Sequence, residues 1–534
     1  MPGIGIIGGR FSSSGGGGGS SISLAVSDST PDLGDSVTIT VTPSAGYVPT
    51  SYLFFVYDGN ELTFLAEQVS NVYNWTTNVI GSLELYVIAT DGVSEVADVI
   101  DITVNSNPAF ISEWVTFYTK GASIEYISND DQIQLPLISS GNYNFVVDWG
   151  DGNTDTITVW NQAETRHTYA VKGKYTVTIT GTIEGWQFGN SSSYDGVKND
   201  SGKIINILNW GTLTITTRSA FHTCVRLQSS AVDAPIIATN DLAATFMRCY
   251  VFNGYVGNWD VSGVQNFTYM FRECYAFNNA GINDMDKWDI SSISPTGLLG
   301  IFIMGFSVNP VYTAFNQDLP SWDVSSITNF GDVFANCGAF NGDITTWDVS
   351  NGTIFGNMFK NNTSFNQDIS GWNVSNGTSF PWMMARCTSF TYDLSSWVLS
   401  SATDTRVMFS NTLINFDMSG WDMGNVTFLG GGGNGGMLDT CLYFDQDLSA
   451  WKIENVTLAD FFLRNTTLST PNYDATLIGW EARLQSLYPS GVGYPNLPRF
   501  NMGLSKYTIG SAAETARTSL ITTYGWTITD GGGI

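Results

Sequence analysis

Two histidines, His167 and His222, and six cysteines are the residue types here that could support metal or nucleophilic chemistry. Neither histidine lies in an HExxH pair, and no serine or cysteine nucleophile motif accompanies them, which leaves nothing for a zincin or a triad hydrolase. The cysteines, Cys224, Cys249, Cys274, Cys337, Cys387 and Cys441, lack the CxxC-type clustering of a zinc site. The glycine runs are followed by neither Lys-Ser/Thr nor a helix, which excludes a phosphate loop. Carboxylates are plentiful, and two facing each other across a groove could cleave a glycosidic bond. Yet Asp323, Asp348 and Asp368 recur with a repeat, whereas a catalytic pair is unique. No twelve-residue calcium loop occurs, so a structural Ca2+ has no motif behind it. The expectation is a chain with no catalytic, cofactor-binding or metal-ligating residue.

The repeat that positions these residues is set by tryptophan. Trp322, Trp347, Trp372 and Trp397 lie 25 apart, Trp421 follows after 24, and Trp259 and Trp288 precede them. Each unit reads Phe-Asn-x-Asp-Ile/Leu-x-x-Trp-Asp-Val-Ser, as in Phe340 to Ser350, and a Met-Phe or Val-Phe segment leads to the next Phe-Asn. A period of this length means that a unit buries its apolar face only against its neighbours. Burying a large apolar side chain is worth about 1.5–3 kcal/mol, so three or four per unit offset much of the ordering entropy. A strand-like part, Asp343 to Val349, followed by a short helical or 3₁₀ turn, is expected in each unit. Asn253, Asn278, Asn316, Asn341 and Asn366 at the Phe-Asn corner should bond backbone groups and stack as a ladder. The cysteines share one repeat column, as small buried side chains at a tight turn would; disulfides between neighbouring units are conceivable but not required. Triplets such as Asn351-Gly352-Thr353 arise from the repeat and need not signal glycosylation. Two stretches break the period, Ser294 to Thr313 and Gly430 to Gly436. Insertions in such arrays fall on loops and often shape a binding face, which makes Phe306, Tyr312 and Asn434 the candidate binding-surface residues.

The rest of the 534-residue chain suggests three or four domains in all. With 43% hydrophobic residues it has ample material for burial, and with 48 acidic against 21 basic residues it would be repelled by nucleic acid or an anionic membrane. Residues 1–21 show no signal peptide, and no apolar run is long enough to span a membrane; release by another route, such as assembly into a virus particle, is expected. Pro2 to Ile7 forms a short apolar peg whose Ile4, Ile6 and Ile7 would anchor it to another protein, and Phe11 to Ser21 reads as a flexible Gly/Ser tether. Residues 22–106 alternate as strands between Asp-Gly turns and look like an immunoglobulin-like β-sandwich without a cysteine pair. After a linker at Asn105 to Pro108, a second β unit occupies 107–184.

In that unit Val146-Val147-Asp148-Trp149-Gly150-Asp151-Gly152, then His167-Thr168-Tyr169, then Gly173-Lys174-Tyr175-Thr176-Val177, resemble the polycystic-kidney-disease (PKD) domain family in order and spacing. The resemblance implies that His167 ties a strand to a loop. The order of this unit, Asn209-Trp210-Gly211, Ala220-Phe221-His222-Thr223-Cys224 and the Trp-Asp-Val-Ser units resembles the BspA-like repeat surface proteins of Bacteroidetes bacteria and their phages, over about Ala109 to Gly533. Asn472 to Trp480 and Tyr524 to Gly532 look like that family's terminus. Together with the strand alternation of 22–106, these resemblances imply a mainly β chain: two β-sandwiches, a leucine-rich-type solenoid over 185–468, and a C-terminal cap over 469–534. It also implies an adhesin without catalytic residues. The functional expectation is a virion structural protein, a phage fibre or a capsid or tail decoration at the virion surface. It would bind other virion proteins through its N-terminus and host surface or glycan through the repeats. A homotrimer would suit a fibre, although no coiled-coil heptads argue for one. A bacterial cell-surface adhesin and a glycan depolymerase are the alternatives.

Overall fold

The computed structural model describes residues 4–7, 10–13, 20–29, 36–58, 62–76, 81–104, 109–117, 128–189, 200–304, 314–431, 433 and 435–534. Phe306, Tyr312 and Asn434, and residues 14–19 of the expected tether, lie outside them. The chain is mainly β, with several open sheets. It divides into two compact units, Met1–Ile111 with Asn209–Thr212 and Ala231–Ala234, and the remainder. No helix among the described residues is long and apolar enough to cross a membrane.

In the first unit, β1 (Ile4–Ile7) pairs antiparallel with β2 (Arg10–Ser13), Ile4 opposite Ser13 and Ile6 opposite Phe11. Phe11 to Ser13 therefore belong to a hairpin and not to the tether; pairing gives their backbone groups partners that a free tether would leave to water. A three-stranded sheet of β3 (Ile22–Val26), β4 (Ser36–Pro43) and β7 (Val72–Thr76) shares one core with a four-stranded sheet. The latter comprises β6 (Leu62–Gln68), β5 (Ser51–Tyr57), β8 (Gly81–Thr90) and β9 (Glu95–Val104) in that order. Alternation does the sorting: along Ser51–Tyr57 every second side chain, Tyr52, Phe54 and Val56, is buried. These meet Val37, Ile39, Val41, Trp75, Leu85 and Val87 with no disulfide. Also in this unit, buried Asp233 accepts the backbone N–H groups of Trp210 and Gly211 at 3.0 and 2.8 Å.

The second unit begins with a sheet built from β12 (Tyr143–Asp148), β13 (Thr154–Ile157) and β15 (Lys174–Glu184). The β12–β13 turn needs Gly150, whose φ is 78° and where a Cβ would lie 2.4 Å from the Thr176 carbonyl. His167, on β14 (Arg166–Thr168), bonds Asp151 of that turn through Nε2 at 2.9 Å and stacks on Trp149 at 4.8 Å. The Tyr169 hydroxyl donates to the Trp149 carbonyl at 3.1 Å. This histidine is a clasp. Nearby, the buried Lys203 ammonium donates to Ser128 Oγ and to the carbonyls of Asn129 and Gln132 at 2.6–2.9 Å, with Asp200 beside it. Burial pushes its pKa down while Asp200 opposes that shift.

The sheet continues past residue 184, the end of the second β unit as read from the sequence. β15 pairs in parallel with β17 (Leu213–Ile215), which pairs in parallel with β19 (Ile236–Ile237), so the last long strand of the β unit is the template for the first repeats. From there each repeat bonds to the next. Single parallel bridges join Asn329, Ile354, Ser379, Asp404, Phe428 and Leu458 in succession.

The expected strand at Asp343 to Val349 is absent. Asp343 Oδ1 accepts both the backbone N–H and the hydroxyl of Thr345, at 2.9 and 2.8 Å, and Asp348 accepts the N–H of Ser350 at 3.0 Å. These local side-chain bonds turn the backbone away from a ladder, and the ladder bridges form instead five residues beyond Val349, at Ile354 and its equivalents. After the last repeat, α1 (Thr470–Leu487), α2 (Ala512–Thr522) and the parallel pair β20 (Arg499–Asn501) and β21 (Thr527–Thr529) complete the unit. The Tyr473 hydroxyl donates to Asp530 at 2.6 Å, and Arg517 grips the same carboxylate, which fixes α1 and α2 to the chain end.

Candidate binding surface

The inward columns of the repeat are scaffold. Trp288, Trp322, Trp347 and Trp372 stack face to face 6.3–6.4 Å apart. The Trp347 indole N–H donates to the carbonyl of Leu319 in the preceding repeat at 2.8 Å, and Trp397 does the same to Ile369 at 3.1 Å. Phe277, Phe315, Phe340, Phe365 and Phe390 form a second column at 5.8–6.1 Å. At the Phe-Asn corner each asparagine side-chain oxygen accepts the backbone N–H of the equivalent residue in the next repeat: Asn316 from Asn341 at 2.7 Å, Asn341 from Asn366 at 2.8 Å, and Asn366 from Thr391 at 3.0 Å. That is the ladder the spacing predicts. The cysteines are free and fully buried, and the Cys337 and Cys387 thiols donate to the carbonyls of Phe302 and Phe359 at 3.0 and 3.1 Å. Burial pushes every one of these thiols up. Asn351, of the Asn-Gly-Thr triplet, donates its amide to the Ser325 carbonyl at 2.8 Å, so it too is part of the scaffold.

The recurring aspartates are also accounted for. Asp323, Asp348 and Asp368 each accept the N–H of the serine two residues on, at 3.0–3.1 Å. For Asp348 and Asp368 the serine hydroxyl, then the serine N–H, hold the carboxyl below its usual range. Among the described residues no group of three or more His, Cys, Asp or Glu could hold a metal ion. His222 is buried, its Nδ1 2.8 Å from the Thr223 hydroxyl.

One row of turns varies in residue type from repeat to repeat. In each repeat a short segment gives alternate N–H groups to the next repeat: Phe330, Asp332, Phe334 and Asn336 donate to Ile354, Gly356, Met358 and Lys360 at 2.7–3.0 Å. The intervening N–H groups of Ala335 and Cys337 close turns on Asp332 and Phe334. This double duty forces positive φ at two positions four residues apart, Asp332 and Asn336 (58° and 63°), then Asn357 and Asn361, then Trp382 and Arg386. Their side chains range from buried Asn336 to exposed Arg386, and the residues there differ from repeat to repeat.

Nearly all the cations of this row have carboxylate partners. Arg218 meets Asp241, Arg248 and Arg272 meet Glu273, Arg406 meets Asp404 at 2.7 Å, and Arg464 grips Asp439. Aromatic rings lie beneath several, Arg272 over Tyr269 at 5.1 Å, Lys360 over Trp382 at 4.2 Å and Arg464 over Phe461 at 4.5 Å. The glycine excursion also leaves from this row. Gly430 and Gly436 pair across it, and a Cβ on Gly436 would lie 2.2 Å from the Phe461 carbonyl, so Gly436 lies close against the next repeat because it has no side chain. The sequence reading passed over Lys360, Trp382 and Arg386. Their signal was the departure of Gly-Asn-Met-Phe-Lys and Pro-Trp-Met-Met-Ala-Arg from each other within an otherwise constant segment.

These features define a β-rich repeat protein with an inert interior and a variable outer row. The family model described as "Mycoplasma protein of unknown function, DUF285" matches residues 192–298, 305–421 and 411–480, more than half of the chain. The chain belongs to that family. No curated protein matches it, and no solved structure does.

Proposed function

We propose that the chain is a non-enzymatic attachment protein, a virion fibre or decoration, whose repeats wind as a leucine-rich-type solenoid and contact a host surface or glycan. The observation that carries this reading is the division within each repeat. Trp, Phe, Asn, Cys and Asp columns are consumed by packing and hydrogen bonds, while the variable residues and the glycine excursion share one row. A surface that varies on a constant frame is what a recognition array requires. The resemblance to BspA-like surface proteins and the PKD-like and immunoglobulin-like character of the β units support the same role, the β units acting as a stalk. The apolar sequence of β1 ahead of a Gly/Ser-rich run supports anchoring at the N-terminus, through Ile4, Ile6 and Ile7.

Immunogold labelling of purified particles tests the location; label confined to bacterial envelopes would overturn the virion assignment and leave a cell-surface adhesin. Binding of the purified chain to host cells tests attachment. Incubation with host polysaccharide should yield no shortened chains, and release of oligosaccharides would overturn the non-enzymatic assignment.

A further inference from the structure

The β-sandwich of the first unit has two outer faces of different character. On the three-stranded sheet, alternation turns Thr38, Thr40 and Thr42 outward beside Ser23 and Asn74, a mostly polar face of the kind that meets water. On the four-stranded sheet the register sets Phe64 beside Phe55, Phe55 beside Tyr86 and Tyr86 beside Val99, one row across all four strands. The next row runs from Glu67 through Leu53 and Ile88 to Ala97. Both rows point away from the core that Phe54, Leu85 and Val87 fill. Tyr86 and Ile88 are buried in the middle of the face, Leu53 and Phe55 are half-buried, and Phe64 and Val99 at its sides are 55% and 42% exposed. Glu67, Glu84, Glu95 and Asp101 stand around the apolar residues on the same face. Residues 11–106 contain no Lys, Arg or His, so the sandwich supplies no cation to that rim.

We propose that this face docks a protein presenting an apolar strip flanked by lysines or arginines. Phe64, Phe55 and Val99 supply the apolar burial that drives association, and the carboxylate rim selects the sign of the partner and speeds encounter. A second copy of this chain would bring a like-charged rim against this one. The hairpin β1–β2 runs beside β9 but offers Arg10 as its sole basic residue. An external basic surface answers both the apolar centre and the acidic edge, which is the anatomy of a protein interface. The assignment goes beyond a stalk role for the sandwich and is independent of what the repeats bind.

Titration calorimetry of the full chain tests it, with an amphipathic Leu/Lys peptide as probe beside its Leu/Glu counterpart and an oligolysine of equal charge. The Leu/Lys peptide should bind about tenfold more tightly than oligolysine, and the Leu/Glu peptide should not bind. Phe64→Ser combined with Val99→Thr should weaken binding about tenfold at low and high salt alike. Glu67→Lys should weaken it chiefly at low salt. Thr40→Lys combined with Thr42→Lys changes the net charge equally but on the opposite face, and should leave binding nearly as it was. Unchanged thermal midpoints would show that the variants fold. Equal binding of oligolysine, or equal binding by the chain substituted at Phe64 and Val99, would reduce the effect to diffuse charge attraction and overturn the proposal. A mass that doubles with concentration in the absence of peptide would give the face to a second copy. Binding seen only after removal of residues 1–13 would give it to the hairpin, and either result overturns the proposal as well.

Discussion

The thiols show how a repeated residue is made inert. Each is buried, and those of Cys249, Cys274, Cys337, Cys387 and Cys441 donate to a carbonyl of the preceding repeat, so ionisation is opposed by burial; the Cys441 thiol is pushed up to about 11. Thiolate is the reactive form, so none of the six should react with a thiol-specific disulfide reagent in native buffer, and all six should react once denaturant is added; rapid native labelling of any one would contradict the packing. The aspartate caps behave in the opposite sense. In Asp289, Asp348 and Asp368 the serine hydroxyl and N–H lower the folded-state pKa, and in Asp417 the serine N–H leads. A depressed folded value gives stability that is present above the unfolded value, about 3.9, and is lost as pH falls through the folded values. The thermal midpoint should therefore drop between about pH 5 and pH 3, against the opposing trend of buried Asp233 and Asp332, whose carboxyls burial raises. Replacing Ser350 and Ser370 by Ala should shrink that drop, and an unchanged drop in the variant would show that these turns contribute nothing. The Asn corner and the cysteine column were legible in the sequence because one residue type recurs at one spacing. The outer row was not, because Asp332, Asn357, Trp382 and Val407 share only a backbone conformation, and no side-chain type announces it.

At the scale of elements, the repeat is a unit of length as well as of sequence. Trp347 meets Trp372 as Trp322 meets Trp347, and Phe330 bonds Ile354 as Phe355 bonds Ser379. Removing residues 355–379 should join equivalent points, keep every column in register and leave a folded chain with a modestly lower midpoint, as nearest-neighbour stability implies. Removing half as many residues should place Trp positions against turn positions and abolish cooperative unfolding, read by calorimetry. Loss of cooperativity in the 25-residue deletion would mean that repeats are not interchangeable. Here the sequence misled in one respect. Asp343 to Val349 alternates like a strand, but Asp343 and Asp348 bind their own Thr345 and Ser350, and those bonds were invisible to a pattern of hydrophobicity. The β-sandwich strands, by contrast, were legible because alternation there is not contested by local side-chain bonds; Tyr52, Phe54 and Val56 point inward as written.

For the whole molecule, both ends of the array need closure. At the start the parallel pairing of β15 with β17 supplies it, a continuity that composition could not reveal because a sheet crossing a boundary leaves no mark in the local residue pattern. At the finish, Leu463 donates its N–H to Asn501 of β20 at 2.8 Å, and Phe500 packs on Trp480 and Trp526 at 5.1 and 4.7 Å. Deleting residues 469–534 should leave the last repeat's donors and Phe462 uncovered. The truncated chain is expected to self-associate, seen as a concentration-dependent mass in light scattering; a monomeric, stable truncation would show that the helices are ornamental. The direction of those bonds has a further consequence. Along the turn segment itself, from Phe330 to Asn336 and its equivalents, the backbone bonds between repeats point the same way, N–H forward and carbonyl back, so those peptide dipoles add as they do along an α-helix, while Thr353, Thr378 and Thr403 beside the segment donate backward. The turn segment thus has its positive end at Phe461 to Asn465. A segment that seals this pole must present acceptors, as Asn501 does, so a cap exchanged with the segment that starts the array would meet donor with donor.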